Sequence, residues 1–225
     1  MLTIVIPVHN EALNIGEVIL GVKKYVKQKY ELFVIDDAST DDTVKIAKKL
    51  GAKIIHHDIP QGGVIGDDFK KFKGEYIISL DADREHNPKD IPKFVEALKK
   101  CDLVLGERTY RSRIMECVLE LFYPFPARDF FSGFVGFRKK WIPFFVQHNI
   151  RLVWESHFAV WAAGGRICNV KVIPPETKIR PSRFGGVLKG NVKTWIFFNR
   201  YRKHANQIRK GLCHKTRNSK VPSPG

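Results

Sequence analysis

No uncharged apolar run in this chain approaches the roughly 18–20 residues that a membrane span requires, so a soluble or peripheral protein is expected. The first apolar run, Leu2-Thr-Ile-Val-Ile6, starts almost at Met1. It has neither the basic n-region nor the small-residue cleavage site of a secretory signal. Cysteine is sparse: Cys101, Cys117, Cys168 and Cys213 are far apart and form no C-x-x-C pair. That pattern argues against a disulfide framework or a zinc site and predicts reduced thiols in a cytosolic protein. Acidic residues vanish from one stretch altogether. Residues 178–225 hold thirteen Lys or Arg and no Asp or Glu.

The 225 residues, 44% hydrophobic, suit one packed domain with a short appendage and show no internal repeat. The formal net charge of +16 sits mostly in the acid-free segment, because residues 1–177 carry 26 basic side chains against 23 acidic ones. Such asymmetry calls for a partner rather than a fold explanation.

Along the first hundred residues, β-branched runs at 3–8, 32–35, 53–56 and 76–80 read as strands. Amphipathic stretches at 12–27, 41–50 and 64–73 lie between them, and 88–100 predicts a further helix before a strand at 102–106. Ser39-Thr-Asp-Asp42 marks a helix start, and Gly51 falls just past that helix's end. Alternation of this kind predicts a mostly parallel sheet covered by helices, with ligands outside the carboxyl ends of its strands. After Arg108 the pattern changes. Residues 114–140 are rich in Phe and broken by Pro124 and Pro126; 156–163 read as helix and 166–173 as strand.

Asp81-Ala-Asp83 follows directly on the run Tyr76-Ile-Ile-Ser-Leu80. Two carboxylates at i and i+2 at a strand mouth can hold one divalent cation, whose shell water and substrate phosphates complete. Two acids in a turn are more often simply solvated. Asp36-Asp37 ends another strand, where an acid can accept from a base N–H or from ribose hydroxyls; the bland alternative is helix capping within residues 36–42. The adjacent His56 and His57 should point to opposite faces of a strand end and read as surface residues rather than a metal site.

Three stretches taken together resemble the family 2 inverting glycosyltransferases: Ile4-Val-Ile-Pro-Val-His-Asn-Glu11, Val34-Ile-Asp-Asp-Ala-Ser-Thr-Asp-Asp-Thr43 and Gly74-Glu-Tyr-Ile-Ile-Ser-Leu-Asp-Ala-Asp83. Asp81-Ala-Asp-Arg-Glu-His-Asn-Pro88 is similar to the form found in dolichol-phosphate mannose synthases and related polyprenyl-phosphate glycosyltransferases. Leu103-Val-Leu-Gly-Glu-Arg108, Asp129-Phe-Phe-Ser-Gly-Phe134 and Arg180 follow in the family's order, so the resemblance covers roughly residues 2–186.

It implies an α/β GT-A domain over residues 1–186, with residues 187–225 as a basic, aromatic segment forming an amphipathic helix and a disordered tail. Pro7, His9 and Glu11 match the loop lining the nucleotide pocket, and Asp37, with Asp36 beside it, matches the acid contacting the base. Asp81 would face the ribose or the metal, Asp83 would be the main ligand of Mg²⁺ or Mn²⁺, and Glu85 matches a third ligand. Arg108 matches a basic residue near the acceptor phosphate, Asp129 an acid near the acceptor, and Arg180 or Arg183 a basic residue near the diphosphate. The family's usual basic pair before the third helix is replaced by Gln61-Gly-Gly-Val-Ile-Gly-Asp-Asp68, and the loop from Arg180 lacks the usual Ser-Lys.

The implied reaction moves a hexose from a GDP-mannose or UDP-glucose type donor to a polyprenyl or dolichyl phosphate, whose ionised oxygen needs no strong base. For a saccharide hydroxyl acceptor, Asp129 would be the candidate base; the bland alternative of equal weight is an acid paired with Arg128 or capping a turn. A third class is a non-enzymatic nucleotide-sugar or nucleic-acid binding protein. Residues 191–210 mix Trp195, Phe197, Phe198 and Tyr201 with six basic residues. They suit an anionic membrane surface first, packing on the domain second and nucleic acid least. The expected location is cytoplasmic and peripheral to a membrane.

Overall fold

A computed structural model describes residues 1–57, 67–108, 129, 132–147, 150 and 153–173. Strand β1 (Leu2–Val8) is almost wholly buried. Leu2, Ile4, Ile6 and Val8 face one apolar cluster, while Val5 faces the other. A strand that is apolar on both faces belongs at the centre of a helix-covered parallel sheet. β2 (Tyr30–Asp37) and β3 (Lys53–His57) stack in parallel to one side, and β4 (Tyr76–Ser79) to the other. Helix α1 (Ile15–Tyr25) leads from β1 to β2, burying Ile15, Val18, Ile19 and Val22 at i, i+3, i+4 and i+7. Helix α2 (Thr43–Lys49) leads to β3. It starts where the sequence predicts, with Asp41 Oδ1 accepting from the Thr43 N–H at 3.0 Å, and Gly51 leaves it at φ 78°.

Helix α3 (Ile91–Leu98) follows a 3₁₀ turn at Pro88–Asp90, capped by the Asn87 side chain accepting from Lys89 N–H. Then come β5 (Leu103–Glu107), β6 (Val135–Arg138), α4 (Ile142–Gln147), α5 (Val153–Ala162) and β7 (Ile167–Lys171). Among the described residues the sheet has seven strands in the order β3-β2-β1-β4-β6-β5-β7. β6 runs antiparallel to both of its neighbours, and β7 pairs in parallel with β5. The expected mostly parallel α/β sheet is present.

Two expectations need correction, and one strand has no signal in the sequence. The stretch 64–73 is not a helix in its described part: Asp67–Lys71 forms a 3₁₀ turn. Phe69 and Phe72, three apart, are both buried there, and a tight turn of period three suits that spacing. β6 was not legible, because it is only four residues long, contains Gly136 and lies inside the Phe-rich run. Its aromatics are core: Phe134 stacks on Phe94 at 4.1 Å, and Phe137 meets Phe69 and Phe145 edge-on. Finally, Cys101 and Cys168 are not separate thiols. They form a disulfide across a Cα–Cα distance of 6.1 Å, although 67 positions apart. The parallel pairing of β5 with β7 sets Cys168 opposite Val104, beside the segment entering β5, which spacing along the chain cannot reveal.

Cys117, Cys213, Arg128, Arg180, Arg183 and the whole of residues 187–225 lie outside the described residues.

Candidate active site

β1, β2 and β4 end at the same edge of the sheet, and the loops that follow them meet there. Pro7, His9, Glu11, Asp37, Asp81 and Asp83 line one cleft at this edge. The loops after β1 and β2 are tied together. Asn10 N–H donates to Ser39 Oγ at 2.9 Å, Thr40 N–H donates to Asn10 Oδ1 at 2.8 Å, and Glu11 N–H donates to Thr43 Oγ1 at 2.8 Å. Ala12 N–H reaches Asp41 Oδ2 at 3.1 Å, and His9 Nδ1 lies 2.7 Å from the Asp37 carbonyl oxygen. Glu11 accepts from the Asn14 side chain at 2.7 Å. One polar network thus holds the two loops as a unit.

Backbone strain concentrates at the same edge. Among the described residues the non-glycine positions with positive φ are Asn10 (55°), Ala38 (61°) and Arg84 (67°), each in a loop that follows one of these three strands. The left-handed conformation costs of order 1–3 kcal/mol for a residue with a Cβ and persists where surrounding contacts over-determine it, as at ligand sites.

Asp36 and Asp37, neighbours in sequence, have separate surroundings. Asp36 is fully buried; its carboxylate accepts from Ser39 N–H at 3.2 Å and lies 2.5 Å from His56 Nδ1. Asp37 lines the cleft. The two histidines do point to opposite faces, but His57 is no surface residue. Its side chain is 12% exposed, with Nε2 at 2.9 Å from Asp68 and Nδ1 at 3.8 Å from Asp37. Each histidine meets the acid opposite it in the β2–β3 register, a pairing visible only once the strands are aligned.

Beyond β4, the Asp81 N–H donates to His86 Nδ1 at 3.2 Å, and Asp83 Oδ1 accepts from Glu85 N–H at 2.9 Å. Glu85 does not gather with Asp81 and Asp83. Its carboxylate faces Arg108 Nη1 at 3.5 Å, and no group of three metal-ligating side chains forms among the described residues. Asp81 and Asp83 still fit a divalent cation, because Mg²⁺ commonly takes one or two protein carboxylates plus substrate phosphate oxygens. The Asp81 carboxylate owes its room to a residue that the sequence reading did not single out: a Cβ on Gly133 would collide with it.

Arg108, at the end of β5, and Asp129 are both buried and form a bidentate pair. Arg108 Nε donates to Oδ2 at 2.6 Å and Nη2 to Oδ1 at 2.9 Å, while the Arg108 backbone N–H donates to Oδ2 at 3.2 Å. Both oxygens of Asp129 therefore accept from Arg108, and the guanidinium is held in a fixed plane.

A model of Glycosyl transferase family 2 matches residues 3–117. The dolichol-phosphate mannosyltransferase of Pyrococcus furiosus is 32% identical over 114 residues, covering 47% of this chain and 32% of that protein. The enzyme of the same name from Saccharomyces cerevisiae is 28% identical over 164 residues, covering 62% of this chain and 61% of that one. A Pseudomonas savastanoi undecaprenyl-phosphate 4-deoxy-4-formamido-L-arabinose transferase is 30% identical over 115 residues, covering 46% and 34%. The matches thus span about a third to three fifths of these relatives' own length. Among solved structures, glucosyl-3-phosphoglycerate synthase from Mycobacterium tuberculosis, in complex with Mn²⁺ and UDP, superposes with a TM-score of 0.66. It is 20% identical and covers 83% of this chain and 75% of that one, a likeness of fold. With the cleft at the carboxyl edge of this sheet and half of its length matched by the family, the chain belongs to glycosyl transferase family 2 and has the GT-A fold.

Proposed function

We propose that this protein is an inverting glycosyltransferase that moves a hexose from a GDP- or UDP-sugar to a polyprenyl or dolichyl phosphate with the help of Mg²⁺ or Mn²⁺. The observation that carries the donor half is the convergence of Pro7, His9, Glu11, Asp37, Asp81 and Asp83 on one cleft. In this reading Asp37 accepts a hydrogen bond from the nucleobase. Asp81 and Asp83 hold the cation, which when bound neutralises charge on the departing diphosphate. Arg180 and Arg183 are assigned to the diphosphate from sequence alone.

The acceptor half rests on Arg108 and Asp129. A saccharide hydroxyl would need a general base to take its proton, whereas Asp129 engages both of its oxygens in orienting Arg108. An acceptor that arrives ionised needs no such base, only an oriented cation, and a guanidinium fixed by a carboxylate suits a phosphate. The names of the three relatives, two acting on dolichol phosphate and one on undecaprenyl phosphate, agree with this choice. Residues 187–225, basic and aromatic, are assigned to an anionic membrane surface, where the acceptor's isoprenoid resides; nucleic acid suits this reading poorly. No helix among the described residues is long and apolar enough to cross a membrane.

The direct test offers the donor with dolichyl phosphate and, separately, with dolichol lacking the phosphate. Product from the phosphate alone supports the assignment. Equal product from the free alcohol would return the role of base to Asp129 and move the acceptor to a hydroxyl.

A further inference from the structure

The stretch 61–68 departs from the usual family sequence, and its last residue meets the histidine that faces Asp37. Asp68 belongs to the 3₁₀ turn Asp67–Lys71, anchored in the core by Phe69 and by the following Phe72, each 1% exposed. Lys71 Nζ meets Asp68 Oδ1 at 2.8 Å, leaving Oδ2 to accept from His57 Nε2 at 2.9 Å. Burial pushes the Asp68 carboxyl upward, but the hydrogen bonds from Lys71 and His57 outweigh it and hold the group below the ordinary carboxylate range. The ring of His57 is thereby fixed on one edge. Its other edge, Nδ1, lies 3.8 Å from Asp37 Oδ1, directly across the β2–β3 register. All three side chains are mostly buried, at 13% exposure for Asp37, 12% for His57 and 15% for Asp68.

We propose that His57 and Asp68 are positioning residues for Asp37, fixing the carboxylate that meets the donor's nucleobase and so setting base selectivity from outside the cleft. The inference rests on the reading of Asp37 given above. The physical reason is that an acceptor discriminates between base edges only when its own orientation is held by neighbours with locked rotamers. A carboxylate at the end of a strand, free to turn, would accept from many donors. Here the order runs from two buried Phe rings through the 3₁₀ turn and Asp68 to His57 and on to Asp37. The selectivity of the site is thus tied to the packed core under β3.

The test measures binding of GDP and UDP to the full-length protein by calorimetry, with Mg²⁺ present, and donor KM and kcat in the transfer reaction. The variants are Asp37→Asn, His57→Phe and Asp68→Ala, each checked for cooperative unfolding. The expected result is that His57→Phe and Asp68→Ala weaken the tighter of the two nucleotides about tenfold, the lower end of what losing an outer supporting partner costs a binding group. The other nucleotide should change less, so that the ratio between them collapses. Donor KM should rise with kcat within about twofold, and neither change should add to Asp37→Asn. If His57→Phe fails to fold, Asp68→Ala carries the same comparison. Weakening by Asp37→Asn alone would overturn the positioning role and leave Asp37 in place. Equal weakening of both nucleotides, or additivity with Asp37→Asn, would also overturn it. No effect of Asp37→Asn on either nucleotide would remove the reading of Asp37 and this one with it.

Discussion

At the scale of single residues, the site depends as much on an absent side chain as on those present. Gly133 touches the Asp81 carboxylate so closely that any Cβ must push it aside. Gly133→Ala is therefore expected to lower kcat/KM about a hundredfold, because a displacement of about 1 Å in a positioned group has that effect. The overpacking should cost stability by only about 1–3 kcal/mol. Steady-state kinetics beside urea unfolding checks both, and unchanged kcat/KM would detach Asp81 from the reaction. Asp37, Asp81 and Asp83 were legible in the sequence because each ends or follows an apolar run whose direction places it at a strand mouth. Gly133 and His57 were not, since their meaning lies in contacts with residues 52 and 20 positions away. Asp129 stood out in the sequence as an acid at a family motif, but its partner in the fold was not legible. The sequence offers the adjacent Arg128, while the fold supplies Arg108 from the end of β5.

At the scale of elements, strands β1 to β5 and helices α1 to α3 followed from periodicity, since a run of alternating or β-branched residues has few other ways to bury itself. β6 escaped because four residues around a glycine carry too little pattern, and because its antiparallel insertion between β4 and β5 is a tertiary event. The same is true of the Cys101–Cys168 link, which fastens the end of α3 to edge strand β7. Digestion without reductant should yield these two cysteines in one linked peptide, and Cys168→Ser should lower unfolding free energy by about 2–4 kcal/mol. Recovery of both as free thiols would contradict the pairing.

Three carboxylates join elements in a way that depends on pH. Glu31 links β2 to Thr3 of β1 and to the Lys73 N–H before β4, and Asp102 links the start of β5 to Lys140 and to the Arg166 N–H before β7. Asp68 links the 3₁₀ turn to β3. Burial raises each, but the hydrogen bonds from Lys73, Thr3 and Lys53 to Glu31 outweigh it, as do those from Lys140, Arg166 and Trp141 to Asp102 and those from Lys71 and His57 to Asp68. All three groups thus lie below their ordinary values. Their contribution is then fully present above the unfolded values, about pH 4, and is lost as pH falls through the lower folded values. Urea midpoints should be level from about pH 5 to 7 and fall below about pH 4. A midpoint that rises on acidification would contradict the pairings.

For the whole molecule, the charge map separates two parts of the sequence. Residues 1–177 are nearly balanced and include the sheet and the cleft, while residues 178–225 are basic throughout. The fold class was legible because the order of strands and helices leaves few topologies, and the family because its motifs occur in order at strand ends. The identity of the sugar was not, for it depends on side chains that meet the donor's hexose, and no periodicity reports those. The central claim is that the cleft under β1, β2 and β4 transfers a sugar from a nucleotide donor through Asp83. The measurement that tests it presents GDP-mannose, UDP-glucose and UDP-GlcNAc separately with dolichyl phosphate and Mg²⁺ or Mn²⁺, using Asp83→Ala as the control. The account predicts a chloroform-soluble glycosylated lipid from one of these donors, absent with Asp83→Ala although that variant unfolds as cooperatively as the parent. Full activity in Asp83→Ala, or no turnover of any donor by the parent protein, would contradict it.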